Sequence, residues 1–82
     1  NISNSARKKL RSLARDERNR IAEKIYRLGL NPDDEQLDVK LLEGCPGFYR
    51  LRVGDWRVIF TRYYEIKLVV IEKIKSRGDA YK

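Results

Sequence analysis

Residues 49–59 alternate between bulky apolar side chains and arginines. Side chains on a strand point to opposite faces in turn, so this pattern places Arg50, Arg52 and Arg57 on one face and the apolar residues on the other. A guanidinium is planar, permanently charged and able to bind a phosphate or a carboxylate through two hydrogen bonds at once. The pattern therefore indicates an anion-binding surface, with a phosphodiester or a partner's carboxylates as the leading ligands.

The turn inside this segment sets which side chains oppose each other. The Gly-Asp pair at positions 54 and 55 is typical of a two-residue hairpin loop, so we expect Val53 to face Trp56 and Arg52 to face Arg57. Directly opposed like charges destabilise a sheet by up to about 1 kcal/mol, which favours an external anion that supplies negative charge. A solvated arginine face with splayed side chains is the alternative.

The charge balance points to the same class of ligand. The chain has 82 residues with 19 Lys and Arg, 12 Asp and Glu and no histidine, which gives a formal net charge of +7. Such an excess on a small domain attracts polyanions over long range and releases counterions on binding, so nucleic acid is the first expectation. An anionic membrane or an acidic protein partner would use the same charge.

Length and cysteine content limit the class of protein further. The chain is long enough for one domain, residues 1–82, and too short for separate substrate and cofactor lobes. The single cysteine, Cys45, excludes an intramolecular disulfide and a thiolate metal cluster, so we expect a cytoplasmic protein with Cys45 as a small packing residue. No apolar stretch reaches the roughly 20 residues that span a bilayer. The acidic residues 33–38 lack calcium-loop spacing, so no metal site and no cofactor are predicted.

Two amphipathic helices are predicted ahead of the hairpin. The first follows cap residues at positions 3–5 and runs to about Arg15; the second begins after Asp16 as its cap and ends at Gly29, where a left-handed residue belongs. Their apolar stripes match the apolar face of the hairpin. After the hairpin, residues 66–74 are apolar on both faces at their centre, as a central strand requires. The predicted fold is α+β, with an N-terminal antiparallel helical hairpin on one face of a mainly antiparallel sheet.

The chain resembles the RelE branch of the RelE/ParE toxins, which belong to bacterial and archaeal toxin–antitoxin systems. The resemblance covers residues 5–82 and includes the helical hairpin, the Gly-x-Pro at positions 44–46, the alternation described above and the closing Arg-x-x-x-Tyr of Arg77 and Tyr81. It implies a microbial ribonuclease fold with a curved sheet covered by helices on one side. Family members usually begin with a strand, and only residues 1–3 are available for it, so a truncated N-terminal edge strand is expected.

The resemblance also implies a function. Toxins of the RelE type cleave messenger RNA in the ribosomal A site, which inhibits translation, and a cognate antitoxin neutralises them. Ribosomal RNA is then a further partner, and the cleavage uses neither a metal nor a small-molecule cofactor. Two alternatives remain on the same fold: a ParE-like inhibitor of DNA gyrase, and a catalytically inactive RNA-binding module.

Matched residue by residue, the catalytic positions of the family fall on Arg50, Arg52, Arg57, Arg77 and Tyr81. Attack by the RNA 2′-hydroxyl needs a base, a group that holds the extra phosphate charge and an acid for the leaving oxygen. We expect Arg57 and Arg77 to hold the phosphate, while Arg50 and Arg52 position the backbone and add to the same field. Because histidine is absent and arginine stays protonated, Tyr81 is left as the base, with Lys75 in reserve. Stacking on a base or anchoring of the C-terminus is the alternative role of Tyr81.

Lys73, Lys75 and Phe48 complete the predicted nucleic-acid-binding set. The two lysines share one face at the end of the last predicted strand, and Phe48 is an aromatic beside arginines, as in single-strand binding sites. Trp56 falls on the apolar face and is expected in the core. Two departures from the family, arginine where some members have a proton-transferring lysine and Gly78 where relatives often have a second arginine, predict slow catalysis by the isolated protein.

Overall fold

The chain folds into two helices followed by a four-stranded antiparallel sheet, in a computed structural model that describes residues 1–76. The helices and strands are Asn4–Ser12 (α1), Arg15–Leu30 (α2), Asp38–Leu41 (β1), Phe48–Val53 (β2), Trp56–Tyr63 (β3) and Leu68–Ser76 (β4). The strands follow one another in the sheet in the order β1-β2-β3-β4. α1 packs mainly on β4, and α2 contacts β2 and β4. The predicted α+β architecture is confirmed.

The register of the central hairpin is the one that the alternation predicts. Val53 pairs with Trp56, and Arg52 pairs with Arg57. Gly54 has a φ of 60° whereas Asp55 does not adopt a positive φ, which is the pattern of a type II′ turn. The apolar side chains of this hairpin are buried or packed against the core: Tyr49, Leu51, Val53, Trp56, Val58 and Phe60.

The junction between the helices lies earlier than predicted. α1 ends at Ser12 rather than at Arg15, because Leu13 is already extended (φ −82°, ψ 155°) and packs against the core. α2 begins at Arg15 after an extended Ala14 that offers no side-chain cap. Asp16 is therefore not the cap; it lies in the first turn, where its charge suits the positive end of the helix dipole.

Two other predicted boundaries are wrong. Gly29 lies inside α2, which ends at Leu30, and the helix is closed instead by the Asn31 N–H, which donates to the Arg27 carbonyl at 3.0 Å. The last strand begins at Leu68 rather than at position 66, because Lys67 occupies the preceding turn with a φ of 52°.

The N-terminal residues extend the sheet beyond β4. Ile2 forms a parallel bridge with Ile71. The Ser3 N–H donates to the Ile71 carbonyl at 2.8 Å, and the Ile71 N–H donates to the Asn1 carbonyl at 2.8 Å. Residues 1–3 thus supply a short piece of edge strand, and β4 is hydrogen-bonded on both sides there, as its apolar centre predicts.

A β-bulge in β4 determines which of its side chains face the helices. The pairing between β3 and β4 shifts at Glu72, which is an extra residue in the ladder. Ile71 and Ile74 are consequently both buried against the helices, although strict alternation would separate them. Glu72 and Lys73 lie side by side on the opposite face of the sheet.

The core lies between the helices and the sheet. Its buried apolar members are Ala6, Ile21, Leu28, Leu37, Leu51, Val53, Val58, Phe60, Ile71 and Ile74. Trp56 packs against this core as predicted, and its Nε1 donates to Glu17 Oε2 at 2.6 Å, which ties β3 to α2. Within residues 1–76, neither helix has the length and apolar character that a membrane crossing requires.

Candidate nucleic-acid interface

The face of the sheet away from the helices contains a cleft of about 800 Å³. We call it the basic cleft, because most of its charged lining residues are lysines and arginines. Its lining includes every predicted site residue that the structure describes: Phe48, Arg50, Arg52, Arg57, Lys73 and Lys75. Positions from three strands reach one surface because they alternate with the buried residues. Arg77 and Tyr81 lie outside the described residues, so their roles stay predictions.

The cations of the basic cleft form two rows across the strands. In the first row, Arg52 pairs with Arg57, which in turn pairs with Lys75. The second row runs from Lys40 on β1 through Arg50 to Lys73 on β4, and the uncharged Ile59 of β3 lies between Arg50 and Lys73. Neighbouring strands are only about 4.8 Å apart, so the positive potentials of these side chains add.

Carboxylates of residues 1–76 form few ion pairs with Arg50, Arg52, Lys73 and Lys75. Arg50 Nη2 lies 3.4 Å from Asp38 Oδ1, a long ion pair with a half-exposed partner, which contributes little to stability. Arg52 Nε donates to the Gly54 carbonyl at 3.4 Å. No carboxylate within residues 1–76 is at ion-pair distance from Arg52, Lys73 or Lys75. The basic cleft therefore has donors available for an external anion.

Two carboxylates, Glu43 and Glu72, also line the basic cleft. Glu72 Oε2 accepts a hydrogen bond from the Thr61 hydroxyl at 3.1 Å. The Glu72 backbone carbonyl accepts another from the Ser3 hydroxyl at 2.6 Å. This hydrogen bond connects the bulge to the N-terminal segment.

Asp33 and Asp34, in the loop after α2, bind separate arginines. Both Nη atoms of Arg62 donate to the two oxygens of Asp33, at 2.8 and 3.0 Å. These hydrogen bonds from Arg62 hold the pKa of Asp33 below its ordinary value. Asp34 lies 3.3 Å from Arg27. These carboxylates fasten the loop after α2 to α2 and β3.

A tyrosine pair lies beside the Asp33–Arg62 ion pair. The hydroxyls of Tyr49 and Tyr64 are 3.2 Å apart, and the hydrogen bond with Tyr64 raises the pKa of Tyr49. The Arg62 guanidinium stacks over the Tyr64 ring at 4.2 Å, and Tyr49 stacks on Phe60 at 5.5 Å. This cluster belongs to the packing between strands and not to the basic cleft.

Comparison with known proteins assigns the chain to a family. The family model described as the ParE toxin of the type II toxin-antitoxin system parDE matches residues 1–81. The chain belongs to the RelE/ParE toxins. This toxin is 34% identical over 76 residues to a Methanocaldococcus jannaschii protein named as toxin RelE1, a match that covers 92% of this chain and 84% of the relative. It is therefore a type II toxin of the RelE family.

Solved structures show the same fold for other RelE toxins. The archaeal RelE–RelB complex from Pyrococcus horikoshii OT3 contains a chain that is 36% identical, with a TM-score of 0.79 over 94% of this toxin and 91% of that chain. The intact E. coli RelBE toxin–antitoxin complex matches at 22% identity, with a TM-score of 0.73 over 93% of this toxin and 92% of that chain. At that lower identity the likeness shows the fold alone.

The toxin's basic cleft also contains residues that the sequence analysis did not predict, among them Lys40, Glu72 and Cys45. Lys40 faces the cleft because β1 pairs with β2, and the alternation of residues 38–41 would have indicated its face once that pairing was assumed. Glu72 reaches the cleft through the bulge, for which the sequence carries no clear signal. Cys45 was expected as a small packing residue; it is instead exposed and lines the cleft, because the turn before β2 lies outside the packed layers.

Proposed function

We propose that this toxin is a ribosome-dependent endoribonuclease that cleaves messenger RNA by 2′-hydroxyl attack, without a metal, and so inhibits translation. The observation that carries the proposal is the pair of cationic rows in the basic cleft, which leave Arg52, Lys73 and Lys75 without a carboxylate partner among residues 1–76. Guanidinium and ammonium groups on the helix-free face of a sheet suit a phosphodiester backbone.

The proposed reaction is a transfer of the phosphodiester from one oxygen to another. A base removes the 2′-hydroxyl proton, the 2′-oxygen forms a bond to phosphorus, and the bond from phosphorus to the 5′-oxygen breaks as that oxygen takes up a proton. The products are a 2′,3′-cyclic phosphate and a 5′-hydroxyl end. Negative charge on the phosphoryl oxygens grows during the attack, and preorganised cations hold it.

Named residues take distinct parts in this proposal. Arg57, in the middle of the first cationic row, holds the reacting phosphate together with Arg77. Arg52 adds to the same field, because it lies directly opposite Arg57. Tyr81 is the proposed base, on the family resemblance and the absence of histidine from the sequence. Each charged hydrogen bond to the phosphate contributes on the order of 1.5–3 kcal/mol.

The remaining cleft residues bind the rest of the message. Arg50, Lys73 and Lys75 contact flanking phosphates, and Phe48, which lies in the same cleft, stacks on a base. The cleft is shallow and open to solvent along the sheet, so the ribosomal A site is needed to align the message. Ribosomal RNA contacts on the surrounding basic surface would hold the toxin there, in the cytoplasm.

A cognate antitoxin is the second proposed partner. The similar chains from Pyrococcus horikoshii and Methanococcus jannaschii were crystallised as complexes of RelE with RelB. We extend this to the present toxin: an antitoxin segment that carries carboxylates would neutralise the basic cleft and exclude the message.

Inhibition of DNA gyrase is the second candidate function, because the matching family model is the one described for ParE toxins. Mapping of RNA ends on translating ribosomes after induction separates the two. A nuclease produces new message ends within minutes, whereas a gyrase inhibitor induces the DNA damage response without such ends. Message ends that do not change on induction would reject the nuclease proposal.

The site itself is tested with Arg57→Ala and Arg77→Ala, which are expected to abolish growth inhibition while the purified proteins remain folded. Lys67→Asn is the matched control, since it also removes one cation but lies outside the cleft. Lys67 has a φ of 52°, and asparagine tolerates a positive φ, so the substitution should not strain the turn. Full toxicity of both arginine variants at matched expression would contradict the assignment.

A further inference from the structure

One end of the basic cleft differs in chemistry from the cationic rows. Phe48 on β2 lies directly opposite Thr61 on β3, and the Thr61 hydroxyl donates to Glu72 Oε2 of β4 at 3.1 Å. Three adjacent strands therefore bring an aromatic ring, a hydroxyl and a carboxylate together. Phe48 is 36% exposed, and both Phe48 and Glu72 line the cleft. An exposed ring beside an acceptor is a typical arrangement for reading an unpaired base.

Glu72 keeps most of its capacity to accept hydrogen bonds. An ionised carboxylate has about four acceptor directions on its two oxygens. Among the described residues, the Thr61 hydroxyl is its hydrogen-bond partner, and no lysine or arginine of residues 1–76 forms an ion pair with it. The Glu72 carboxylate is thus oriented by Thr61, and no lysine or arginine of residues 1–76 neutralises its charge through an ion pair.

The backbone holds Glu72 in this position. The bulge allows Glu72 and the following Lys73 both to face the cleft, where strict alternation would place one of the two towards the core. The Ser3 hydroxyl donates a hydrogen bond to the Glu72 backbone carbonyl at 2.6 Å. The hydroxyl of Thr61, which is only 8% exposed, donates another to the Glu72 carboxylate. Bulges that re-aim a side chain beside a binding surface are a recurrent feature of functional sites.

The neighbouring cations lie at a distance that suits a nucleotide chain. Phe48 and Arg50 share a face of β2 two positions apart, which corresponds to about 6.6 Å along the strand. Lys73 follows Glu72 directly and lies in the same cleft. A phosphate on Arg50 and Lys73 therefore leaves the adjoining base within reach of Phe48 and Glu72.

We propose that Phe48, Thr61 and Glu72 form a nucleobase subsite that selects guanine in single-stranded RNA. Phe48 stacks on the base, and the Glu72 carboxylate accepts from both the N1–H and the N2 amino group of guanine. These two donors are adjacent and parallel, as in the guanidinium that a carboxylate binds through two bonds. Adenine and cytosine offer a carboxylate one amino group, and uracil places its N–H between two carbonyl groups that repel it. Thr61 is the positioning residue.

The test compares guanosine with inosine, which lacks only the 2-amino group. The full-length toxin is titrated against fluorescently labelled pentamers with a central guanosine or inosine between adenosines, each with a 2′-deoxy sugar at the centre so that no cleavage follows. Fluorescence anisotropy at low salt then reports the two dissociation constants. We expect the wild-type toxin to bind the guanosine pentamer about tenfold more tightly.

Variants assign the preference to these residues. Glu72→Gln keeps an oxygen that accepts from Thr61 but loses the paired acceptors, so the guanosine preference should fall below about threefold. Inosine retains the N1–H that Glu72 also binds, so the affinity for both pentamers changes and the ratio of the two dissociation constants is the readout. Phe48→Leu should weaken both pentamers by about tenfold. Arg57→Ala is the matched control, because loss of a phosphate contact weakens both pentamers equally and leaves their ratio unchanged.

The outcomes separate this inference from the proposed function on which it rests. Salt-sensitive binding with equal affinity for the two pentamers overturns the guanine subsite and leaves the nuclease proposal standing. A preference that survives in a folded Glu72→Gln toxin overturns the role of Glu72. Absence of salt-sensitive binding to either pentamer also overturns the guanine subsite, whereas the nuclease proposal is rejected only by message ends on translating ribosomes that do not change on induction. The wild-type comparison requires no variant, so an unfolded Glu72→Gln protein would not prevent a decision.

Discussion

Arg52 and Arg57 lie directly opposite each other on β2 and β3, on the face of the sheet that carries the basic cleft. No carboxylate of residues 1–76 is at ion-pair distance from Arg52. Opposed like charges destabilise a sheet, and Asp38, which lies opposite Arg52 on β1, forms its ion pair with Arg50 instead. The arrangement therefore suits a surface that binds an anion through Arg52.

Arg52→Thr should therefore stabilise the free toxin and weaken its activity. Threonine is well suited to a strand and removes the repulsion with Arg57, so the free energy of unfolding should rise by up to about 1 kcal/mol. Urea unfolding of the purified protein measures this change, and growth inhibition at matched expression measures activity. A variant that is less stable and fully toxic would show that Arg52 serves the fold instead.

Trp56→Phe should destabilise the toxin and leave its activity unchanged, which is the reverse of the effect expected for Arg52→Thr. Phenylalanine keeps the apolar contacts with the core but cannot donate the 2.6 Å hydrogen bond to Glu17 Oε2. We expect the free energy of unfolding to fall by about 1–2 kcal/mol, with growth inhibition retained, since Trp56 faces the helices. Glu17→Gln, which retains an acceptor for the indole, should be milder. Loss of toxicity in a folded Trp56→Phe protein would place the indole in the site.

The central hairpin could be predicted from the sequence because its signals are local. The Gly-Asp turn and the alternation of residues 49–59 determine the register together, and that register is confirmed. The helix junction depends on tertiary packing instead: Leu13 leaves the helix to reach the core, which local capping signals do not reveal.

The basic cleft could be predicted only in part, for a related reason. Arg50, Arg52 and Arg57 follow from one hairpin, whereas Lys40 depends on the pairing of a distant strand. The shared face of Glu72 and Lys73 depends on a bulge, because strict alternation would place one of the two towards the core. Long-range pairing and ladder irregularities are properties of the assembled sheet, so a linear pattern does not contain them.

Asp33→Asn should reduce the acid sensitivity of the fold. The Arg62 hydrogen bonds lower the pKa of Asp33 from its ordinary value of 3.8, so the carboxylate contributes stability above that pH. This stability is lost as the pH falls through the lower pKa of the folded state. The variant should be less stable than the wild type at pH 7 and equally stable near pH 2.

Urea midpoints at the two pH values measure this effect, and Glu35→Gln is the control. Glu35 is a neighbouring exposed carboxylate without an ion pair among the described residues, so its removal should leave the difference between the two pH values unchanged. Equal losses for Asp33→Asn at both pH values would indicate that asparagine disturbs the loop and that the ionised pair is not the cause.

Lys75→Gln should lower the salt dependence of RNA binding. Lys75 lies opposite Arg57 at the end of the first cationic row, so a phosphate bound there releases a counterion for each cation that it contacts. For a single strand, the slope of log affinity against log salt should become less steep by about 0.7, with a similar loss for every sequence tested. Lys67→Asn removes the same charge outside the cleft and should leave the slope unchanged. Equal slopes for the wild type and Lys75→Gln between about 50 and 200 mM salt would mean that Lys75 contacts no phosphate of the bound strand.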